Sequence, residues 1–419
     1  MKILIINCHW DNRGDEAAIR AMIDELQIKY PTADIYVQRA IGEFGSFPKN
    51  DHVKVLPPFP VGGKKRRIQE QISIETKGKI NLTSGAKAFY KAISGADIVL
   101  HAPGGPSIGD IYLPQETIKL RRLLAVKKTG VPYAFYAPSM GPFKNKERNP
   151  IRKEILEGAS LICLREDISE KMVKEFVPST NPIVTLDSAF QHDIDLQANE
   201  KKLNAYIKLR DFIGDGQNVI GVTITDLQWN SLYKDDGKTK ENIRKTFTEF
   251  IKEITEGGCR VLFIPQLFDG ANDYDYMKSF ANQDCYVMSD KYDCYFQQYI
   301  ISRIKAVVGM RYHSNIFSAK MGTPFVSISY EQKMQGFMKK AGLLEHCLPI
   351  RELSAGNLCE KFESMMDNYD EYKYILEVKK NEFKRESSRT TELVCQVLNK
   401  REGGKMLINE GEYGKETKL

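Results

Sequence analysis

The sequence predicts an α/β protein built from two doubly wound domains that face a cleft. Apolar runs bounded by glycine and proline alternate with helical stretches, which is typical of parallel sheets covered on both faces. The same alternation restarts near residue 218, after a polar, lysine-rich stretch. At 419 residues the chain is also too long for one ordinary core, since domains average roughly 150 residues.

The first unit opens with a buried strand at residues 2–8, a polar turn, and a helix with one apolar face over residues 15–31. Further strands are predicted to end near residues 101, 137 and 165. Helical stretches separate these strands, so that the order repeats along the chain. We therefore expect an N-terminal domain over residues 1–205.

The second unit begins with a strand at 218–226, followed by a helix near 240–256 and the buried strand "AVVGM" at 306–310. Polar, weakly striped sequence beyond residue 365 predicts a long terminal helix, and the glycine-containing end predicts a loose tail. The expected divisions are a C-terminal domain at 206–370, a helix at 371–400 that packs back on the domains, and a tail at 401–419.

Composition and charge narrow the class of protein. With 42% hydrophobic and 28% charged residues the chain is globular, and its net charge of +6 is too mild to indicate a nucleic-acid partner. One basic run, "GGKKRR" at 62–67, predicts either a solvated loop or a contact with anionic lipid or a phosphorylated acceptor. No HxH, HExxH or DxD arrangement is present, so no metal is expected.

Cysteine usage and hydropathy indicate where the protein works. Its eight cysteines show no CxxC spacing and are predicted to be reduced thiols. No stretch approaches about 18 uncharged apolar residues. We expect a cytoplasmic protein that at most contacts the inner face of the cytoplasmic membrane peripherally.

The strongest candidate site follows the strand "AVVGM". Arg311 and His313 occupy the turn that opens the next helix, where backbone N–H groups, a guanidinium and an imidazole can bind phosphate or carboxylate. Arg165 follows another strand and would also point at the cleft. His9 and His101 follow strands as well and are rival bases, whereas the other three histidines are predicted to lie on the surface.

The segments "NRGDEAAI", "APGGPSIGD", "SMGP", "LREDIS", "LDSAF" and "GMRYHSNIFSAKMGTPFVSISY" occur in this order over roughly residues 1–345. This ordered set resembles the polysaccharide pyruvyl transferase family. The resemblance implies a GT-B-like fold and transfer of a pyruvyl group from phosphoenolpyruvate to a sugar, giving a ketal and free phosphate. Phosphoenolpyruvate would be a co-substrate, and no cofactor is implied.

The resemblance also implies roles for residues. It matches Arg311 and His313 to the family's donor-binding Arg-x-His motif, in which the histidine is the usual catalytic candidate, and Arg165 to a donor contact. We expect His313 to be the general acid, kept protonated by the bound anion, with Arg311 beside it and Asp15 as base. The remaining donor contacts are expected from Ser314, Ser329 and Tyr330. The acceptor side is expected to comprise Asn12, Gly14, Asp15, Gly104, Gly105, Ser107 and Ser139.

Two other functions remain open at this level. One is a GT-B glycosyltransferase that uses a nucleotide sugar, because a diphosphate at a helix N-terminus would need similar groups. The other is a non-catalytic saccharide-binding protein, which would have little need for Arg311 and His313 together. The acceptor sugar, its attachment to a lipid carrier and the oligomeric state, including a homo-oligomer, are also left open by the sequence.

Overall fold

The computed structural model describes residues 1–40, 47, 50–57, 63–230, 232–268 and 272–401. In the first half, the strands and helices are β1 (Lys2–Cys8), α1 (Arg13–Lys29), β2 (Asp34–Arg39), β3 (Val53–Val55), α2 (Lys64–Glu75), α3 (Ser84–Ser94), β4 (Ile98–His101), β5 (Gly104–Ile108), α4 (Leu113–Thr129), β6 (Tyr133–Tyr136), β7 (Pro138–Met140), α5 (Asn149–Glu157), β8 (Leu161–Leu164), α6 (Asp167–Phe176) and β9 (Ile183–Val184).

In the second half they are α7 (Leu196–Ala205), α8 (Ile207–Ile213), β10 (Val219–Thr223), α9 (Gly237–Glu256), β11 (Arg260–Phe263), α10 (Asp273–Lys278), β12 (Cys285–Val287), α11 (Cys294–Ile301), β13 (Ala306–Gly309), α12 (Tyr312–Met321), β14 (Phe325–Ser329), α13 (Gln332–Ala341), β15 (Cys347–Pro349), α14 (Ala355–Asp367) and α15 (Tyr369–Arg401). Short 3₁₀ turns include Ser188–Phe190, which follows β9.

Two parallel sheets form the framework. The first has the order β3-β2-β1-β4-β6-β8-β9 and the second β12-β11-β10-β13-β14-β15, while β5 and β7 form a separate two-stranded ribbon. The continuous apolar runs form these strands because helices cover both faces, as the full burial of Ile3 to Ile6 in β1 illustrates. In each sheet the direction in which successive strands are added reverses once, between β1 and β4 in the first sheet and between β10 and β13 in the second. Ligands of such sheets bind at these switch points.

The terminal helix α15 connects the two halves. Near its start, Tyr372, Leu376 and Phe383 pack into the core under the second sheet, and nearer its end Val394 and Leu398 pack with the core of the first. The expected C-terminal helix that packs back is therefore confirmed. None of the helices in the described ranges is long and apolar enough to cross a membrane.

The region between the sheets is more structured than a connector. Helices α7 and α8 occupy it, and Leu203 and Leu209 pack with the second core. The boundary at 205/206 lies between these two helices and stays a prediction. Of the expected tail, residues 402–419 lie outside the described residues.

Candidate active site

A cleft of about 340 Å³ opens where the two switch points face each other. That volume lies in the range of about 300–1,000 Å³ that is common for small-molecule sites. Both domains line it, as expected from strands whose carboxyl ends converge. The predicted residues that line it are Asn12, Asp15, Gly104, Gly105, Ser107, Arg165, Arg311, His313 and Tyr330.

The start of α1 holds the two domains together at this cleft. The Arg13 backbone N–H donates to the Gln266 carbonyl at 2.8 Å, and its guanidinium donates to the Tyr292 carbonyl at 2.9 Å. Asn12 caps the same helix, its side chain accepting from the Gly14 N–H at 2.8 Å. The positive end of α1 is thereby fixed against the second domain.

His313 lies in the first turn of α12, whose N-cap is Arg311. Its side chain is 8% exposed, and Nε2 lies 3.4 Å from an Asp187 carboxylate oxygen, within ion-pair range but without hydrogen-bond geometry. The imidazole also contacts Gly14 of the other domain: a Cβ at that position would lie 1.9 Å from Nδ1. Gly14 is thus required for His313 to lie where it does.

Asp187 and Arg165 form a buried pair beside His313. An Arg165 Nη1 donates to Asp187 at 2.7 Å and its Nε donates to Ser139 Oγ at 2.8 Å. Burial alone would raise the pKa of Asp187, but His313 and Arg165 outweigh it and hold that pKa well below its usual range. Asp187 is therefore an ionised carboxylate beside the His313 imidazole.

Two polar atoms of ionisable side chains stand out at the cleft, beside the amide Nε2 of Gln266, which is likewise buried without a hydrogen bond among the described residues. Among the described residues, neither Arg165 Nη2 nor His313 Nε2 has a hydrogen-bond partner, although both atoms are buried. Buried polar groups are ordinarily satisfied, and an unsatisfied one at a cleft wall indicates a ligand group that completes the set. Both atoms are donors when charged, so an anion is the complement.

Arg311 is not a free cation, contrary to the simplest interpretation of the motif. Its guanidinium forms a two-point ion pair with Asp273, with one of the bonds, from Nε, at 3.0 Å, and Asp273 also accepts from the Gln266 and Leu267 N–H groups. Because Asp273 balances its charge, Arg311 is a fixed donor on the cleft wall rather than an excess positive charge.

In the first turn of α1, Asp15 pairs with His9 at 2.8 Å. Burial would raise the pKa of Asp15, but the hydrogen bond and charge of His9, with smaller effects of His313 and Arg165, lower it. Gly104 permits this approach, because a Cβ there would lie 2.9 Å from an Asp15 oxygen. The residue predicted as base and one of its rivals therefore form a single acid–base pair.

The other rival base is not at the cleft. His101 is completely buried in β4, its Nδ1 bonded to the Ala102 carbonyl at 2.8 Å, and burial lowers its pKa to about 3. The prediction that His346 lies on the surface is also wrong, since only 4% is exposed and its ring lies 4.8 Å from that of Tyr372. Its backbone position after α13 in a short polar turn had suggested exposure.

Four predicted contacts do not line the cleft: Gly14, which packs against His313 as described above, and three serines. The Ser314 hydroxyl donates to the Arg311 carbonyl at 2.6 Å, and that of Ser329 donates to the Glu331 carbonyl at 3.1 Å. Ser139 accepts from Arg165 as described above. Each hydroxyl supports the backbone or side chain of a cleft residue and is buried. They position the site instead of touching a ligand.

An aromatic wall spans the two domains. The ring centroids of Tyr112 and Trp229 are 6.2 Å apart, those of Trp229 and Tyr330 are 5.8 Å apart, and the Arg311 guanidinium lies 5.2 Å from the Trp229 ring. Such contacts stabilise both the rings and the cation. This wall places apolar ring surface on the side of the cleft next to Arg311.

The sequence analysis missed two residues that line the cleft, Trp229 and Lys119, and two that pair with its arginines, Asp187 and Asp273. Asp187 stands three residues after β9, so the rule that found Arg165 after β8 could have found it, and Trp229 follows β10 in the same way. Lys119 is half-buried on α4, and nothing in the sequence separates it from the surface lysines of that helix. Asp273 is the first residue of α10, and nothing in the sequence indicates that it pairs with the distant Arg311. The described residues contain no group of three metal-ligating side chains.

Comparison with solved structures confirms the GT-B-like fold. UDP-GlcNAc 2-epimerase from Neisseria meningitidis superposes with a TM-score of 0.53, 14% identity, and coverage of 96% of this chain and 100% of that one. The MnaA–UDP structure from S. aureus superposes with a TM-score of 0.58 and 12% identity, and the match covers 96% of each chain. UGT2 from Phytolacca americana superposes with a TM-score of 0.55 and 12% identity, and the match covers 95% of this chain and 99% of that one. At these identities the likeness concerns the fold alone.

Sequence comparison identifies the family. The amylovoran biosynthesis protein AmsJ from Erwinia amylovora is 25% identical over 407 residues, which cover 88% of this chain and 93% of that protein. A sequence model described as "Polysaccharide pyruvyl transferase" matches residues 12–332, from the cap of α1 to the first residue of α13. That range spans both walls of the cleft. The chain therefore belongs to the polysaccharide pyruvyl transferase family.

Proposed function

We propose that this protein transfers the pyruvyl group of phosphoenolpyruvate to two hydroxyls of one sugar, in a surface polysaccharide or its precursor, and releases phosphate. The observation that carries the proposal is that two buried nitrogen atoms of cleft residues, Arg165 Nη2 and His313 Nε2, make no hydrogen bond among the described residues. Family membership supports a pyruvyl transferase, and the relative that takes part in amylovoran biosynthesis supports a polysaccharide product.

The donor is expected at the N-terminus of α12. Phosphoenolpyruvate carries a phosphate and a carboxylate, and both need N–H donors at fixed positions. Arg165 Nη2 and the first backbone N–H groups of α12 supply them, with Arg311 held alongside by Asp273. Lys119, which forms no salt bridge among the described residues, adds positive charge from the facing domain.

His313 is proposed as the general acid. It adds a proton to the methylene carbon of the donor, so that carbon 2 becomes electrophilic and a sugar hydroxyl oxygen bonds to it. A second hydroxyl of the same sugar then replaces the phosphate oxygen on that carbon, and inorganic phosphate leaves. The ionised Asp187 at 3.4 Å stabilises the imidazolium before transfer. A positioned acid of this kind typically contributes about 10² to 10⁴ in rate.

The pair of Asp15 and His9 is proposed as the base on the acceptor side. Both residues line the cleft, and each attacking hydroxyl must lose a proton. Asp15 stays ionised because its pKa is lowered, and it orients the His9 ring through Nδ1. The sugar would then lie between the glycine-rich turn at Gly104 and the aromatic wall.

The test is release of phosphate from phosphoenolpyruvate in the presence of a panel of galactosides and mannosamine derivatives. We expect His313→Gln to lose about 10² to 10⁴ in kcat, while His52→Gln, a change at an exposed histidine, serves as the matched control. Near-normal turnover by a folded His313→Gln protein would refute the assignment.

The same preparation separates the alternatives. A nucleotide-sugar glycosyltransferase would be stabilised against heat by UDP- or GDP-sugars and would release a nucleotide. A saccharide-binding protein would be stabilised by glycan and would consume no donor. We expect stabilisation by phosphoenolpyruvate together with acceptor-dependent phosphate release, which neither alternative produces.

A further inference from the structure

The segment from α2 to α3, residues 64–94, concentrates the positive charge of the protein. It contains eight lysines and arginines and two glutamates, a net charge of +6 that equals that of the entire chain. The other residues therefore sum to zero. Charge this localised is unusual in a chain whose two signs are otherwise interspersed, and it defines a basic surface of the first domain.

The cations of this surface face solvent. The exposed basic residues are Lys65, Arg66, Arg67, Lys77, Lys79, Lys87 and Lys91. The two acidic residues have partners on α4: Glu70 pairs with Arg121 at 2.5 Å and Glu75 with Lys128 at 2.7 Å. These glutamates thus pair with cations outside the segment and do not form salt bridges with the exposed Lys65, Arg67, Lys77, Lys79, Lys87 and Lys91.

Large aliphatic side chains stand exposed among these cations. Ile68 is 61% exposed, Ile80 49% and Leu82 51%, and Leu82 lines a small crevice together with Arg66 and Gln69. The aromatic residues of the segment, Phe89 and Tyr90, are buried. Exposed aliphatics without exposed rings suit an acyl-chain boundary, whereas binding of single-stranded nucleic acid relies on rings for stacking.

We propose that this basic surface docks the protein on an anionic phospholipid bilayer. The cations meet the negatively charged headgroups, and Ile68, Ile80 and Leu82 enter the boundary between headgroups and acyl chains. Helix α4 links the surface to the cleft, since it pairs with α2 through Arg121 while Lys119 lines the cleft. An acceptor attached to a membrane lipid would thereby reach the site.

The inference goes beyond the proposed function and is tested without substrates. The full-length protein is mixed with vesicles of phosphatidylcholine alone or with added phosphatidylglycerol, and bound protein is measured by flotation. We expect binding to the anionic vesicles only, weakened strongly between about 0.1 M and about 0.5 M salt because headgroup charge is screened.

Two variants locate the contact. In the first, Lys65, Arg67, Lys77 and Lys79 are changed to Gln. In the control, four exposed lysines of α7, α8 and α9 are changed to Gln: Lys201, Lys208, Lys238 and Lys245. We expect the first to lose at least about tenfold in partitioning, since each cation near such a surface contributes about fivefold, and the control to bind nearly normally. A third variant, Ile68→Ser with Leu82→Ser, is expected to weaken binding at high salt.

The vesicle experiments test the basic surface and do not test the proposed transferase function. Equal binding to neutral and anionic vesicles, no binding to either, or equal losses in the basic-surface variant and its control would each overturn the proposal. Turnover of a soluble acceptor is expected to be unchanged in all these variants. Failure of vesicle binding with normal phosphate release would therefore reject the docking surface and leave the proposed function standing.

Discussion

Gly14 of the first domain lies directly against the His313 imidazole of the second, so closely that a methyl group at position 14 would overlap the ring. This contact couples the start of α1 to the start of α12, the two helices that open at the facing switch points. The proposed general acid is therefore positioned by a residue of the other domain, and its placement depends on how the domains pack together.

Gly14→Ala is expected to reduce kcat about 10²-fold, because displacing a catalytic group by about 1 Å has effects of that size. Steady-state turnover and a circular dichroism spectrum would check this. Gly356→Ala is the matched control: Gly356 is likewise the second residue of a helix, but a Cβ there meets nothing within 4 Å. A loss in the control as large as that in Gly14→Ala would contradict the packing argument.

Arg165→Lys is expected to weaken donor binding. The substitution keeps the charge but removes the planar fork whose Nη2 makes no hydrogen bond among the described residues while its other nitrogens donate to Asp187 and Ser139. Loss of one charge-assisted hydrogen bond, about 1.5 to 3 kcal/mol, predicts a KM for phosphoenolpyruvate raised about 10- to 100-fold. Arg210→Lys at an exposed position is the control. An unchanged donor KM in Arg165→Lys would place the anion elsewhere.

Asp187→Asn is expected to destabilise the fold in a pH-dependent way. The folded-state pKa of Asp187 lies below that of the unfolded chain, so ionisation stabilises the fold above about pH 4 and this contribution is lost as pH falls further. At neutral pH, the free energy of unfolding of the variant should be about 3 to 5 kcal/mol lower than that of the parent protein.

Urea unfolding at several pH values measures this difference. It should narrow as the pH drops below about 4, whereas Asp235→Asn, at an exposed aspartate, should differ little from the parent at any pH. A difference for Asp187→Asn that is constant across the pH range would show that ionisation of Asp187 is not what stabilises the site.

Trp229 offers a spectroscopic view of donor binding. The chain has two tryptophans, and Trp10 is 3% exposed in the first core, so Trp10→Phe leaves Trp229 as the reporter. Because Arg311 lies 5.2 Å from the Trp229 ring, we expect phosphoenolpyruvate to change its fluorescence. Trp229→Ala is expected to raise the acceptor KM more than Trp229→Phe. If Trp229 fluorescence does not change at phosphoenolpyruvate concentrations that support turnover, the placement of the donor beside Arg311 is contradicted.

The sequence predicts the framework well because its signals are local. Apolar runs such as residues 2–8 and 306–310 become strands, and the turns after them carry Asp15, Arg165, Arg311 and His313 to the cleft. What it does not predict are pairings between distant segments. The neutralisation of Arg311 by Asp273, and the arrangement of Asp187 beside both Arg165 and His313, depend on how α10, β9 and α12 pack.

Burial was harder to predict than position. His101 and His9 both follow strands, yet one is sealed in β4 and the other is 45% exposed at the cleft. Likewise Ser314 and Ser329 lie next to cleft residues in sequence, but their hydroxyls turn inward to backbone carbonyls. The direction of a side chain at a strand end depends on the turn geometry, which residue type alone does not specify.

The central claim, that His313 protonates the methylene carbon of phosphoenolpyruvate during transfer, has a direct isotopic test. The reaction is run in D₂O with an acceptor, and the product is examined by mass spectrometry and NMR. We predict a pyruvate ketal whose methyl group carries one solvent-derived deuteron, formed with equimolar phosphate, and a rate at least about 10²-fold lower in His313→Gln. A deuterated ketal formed by His313→Gln at the parent rate, or no ketal but a nucleotide released from a nucleotide sugar, would contradict the account.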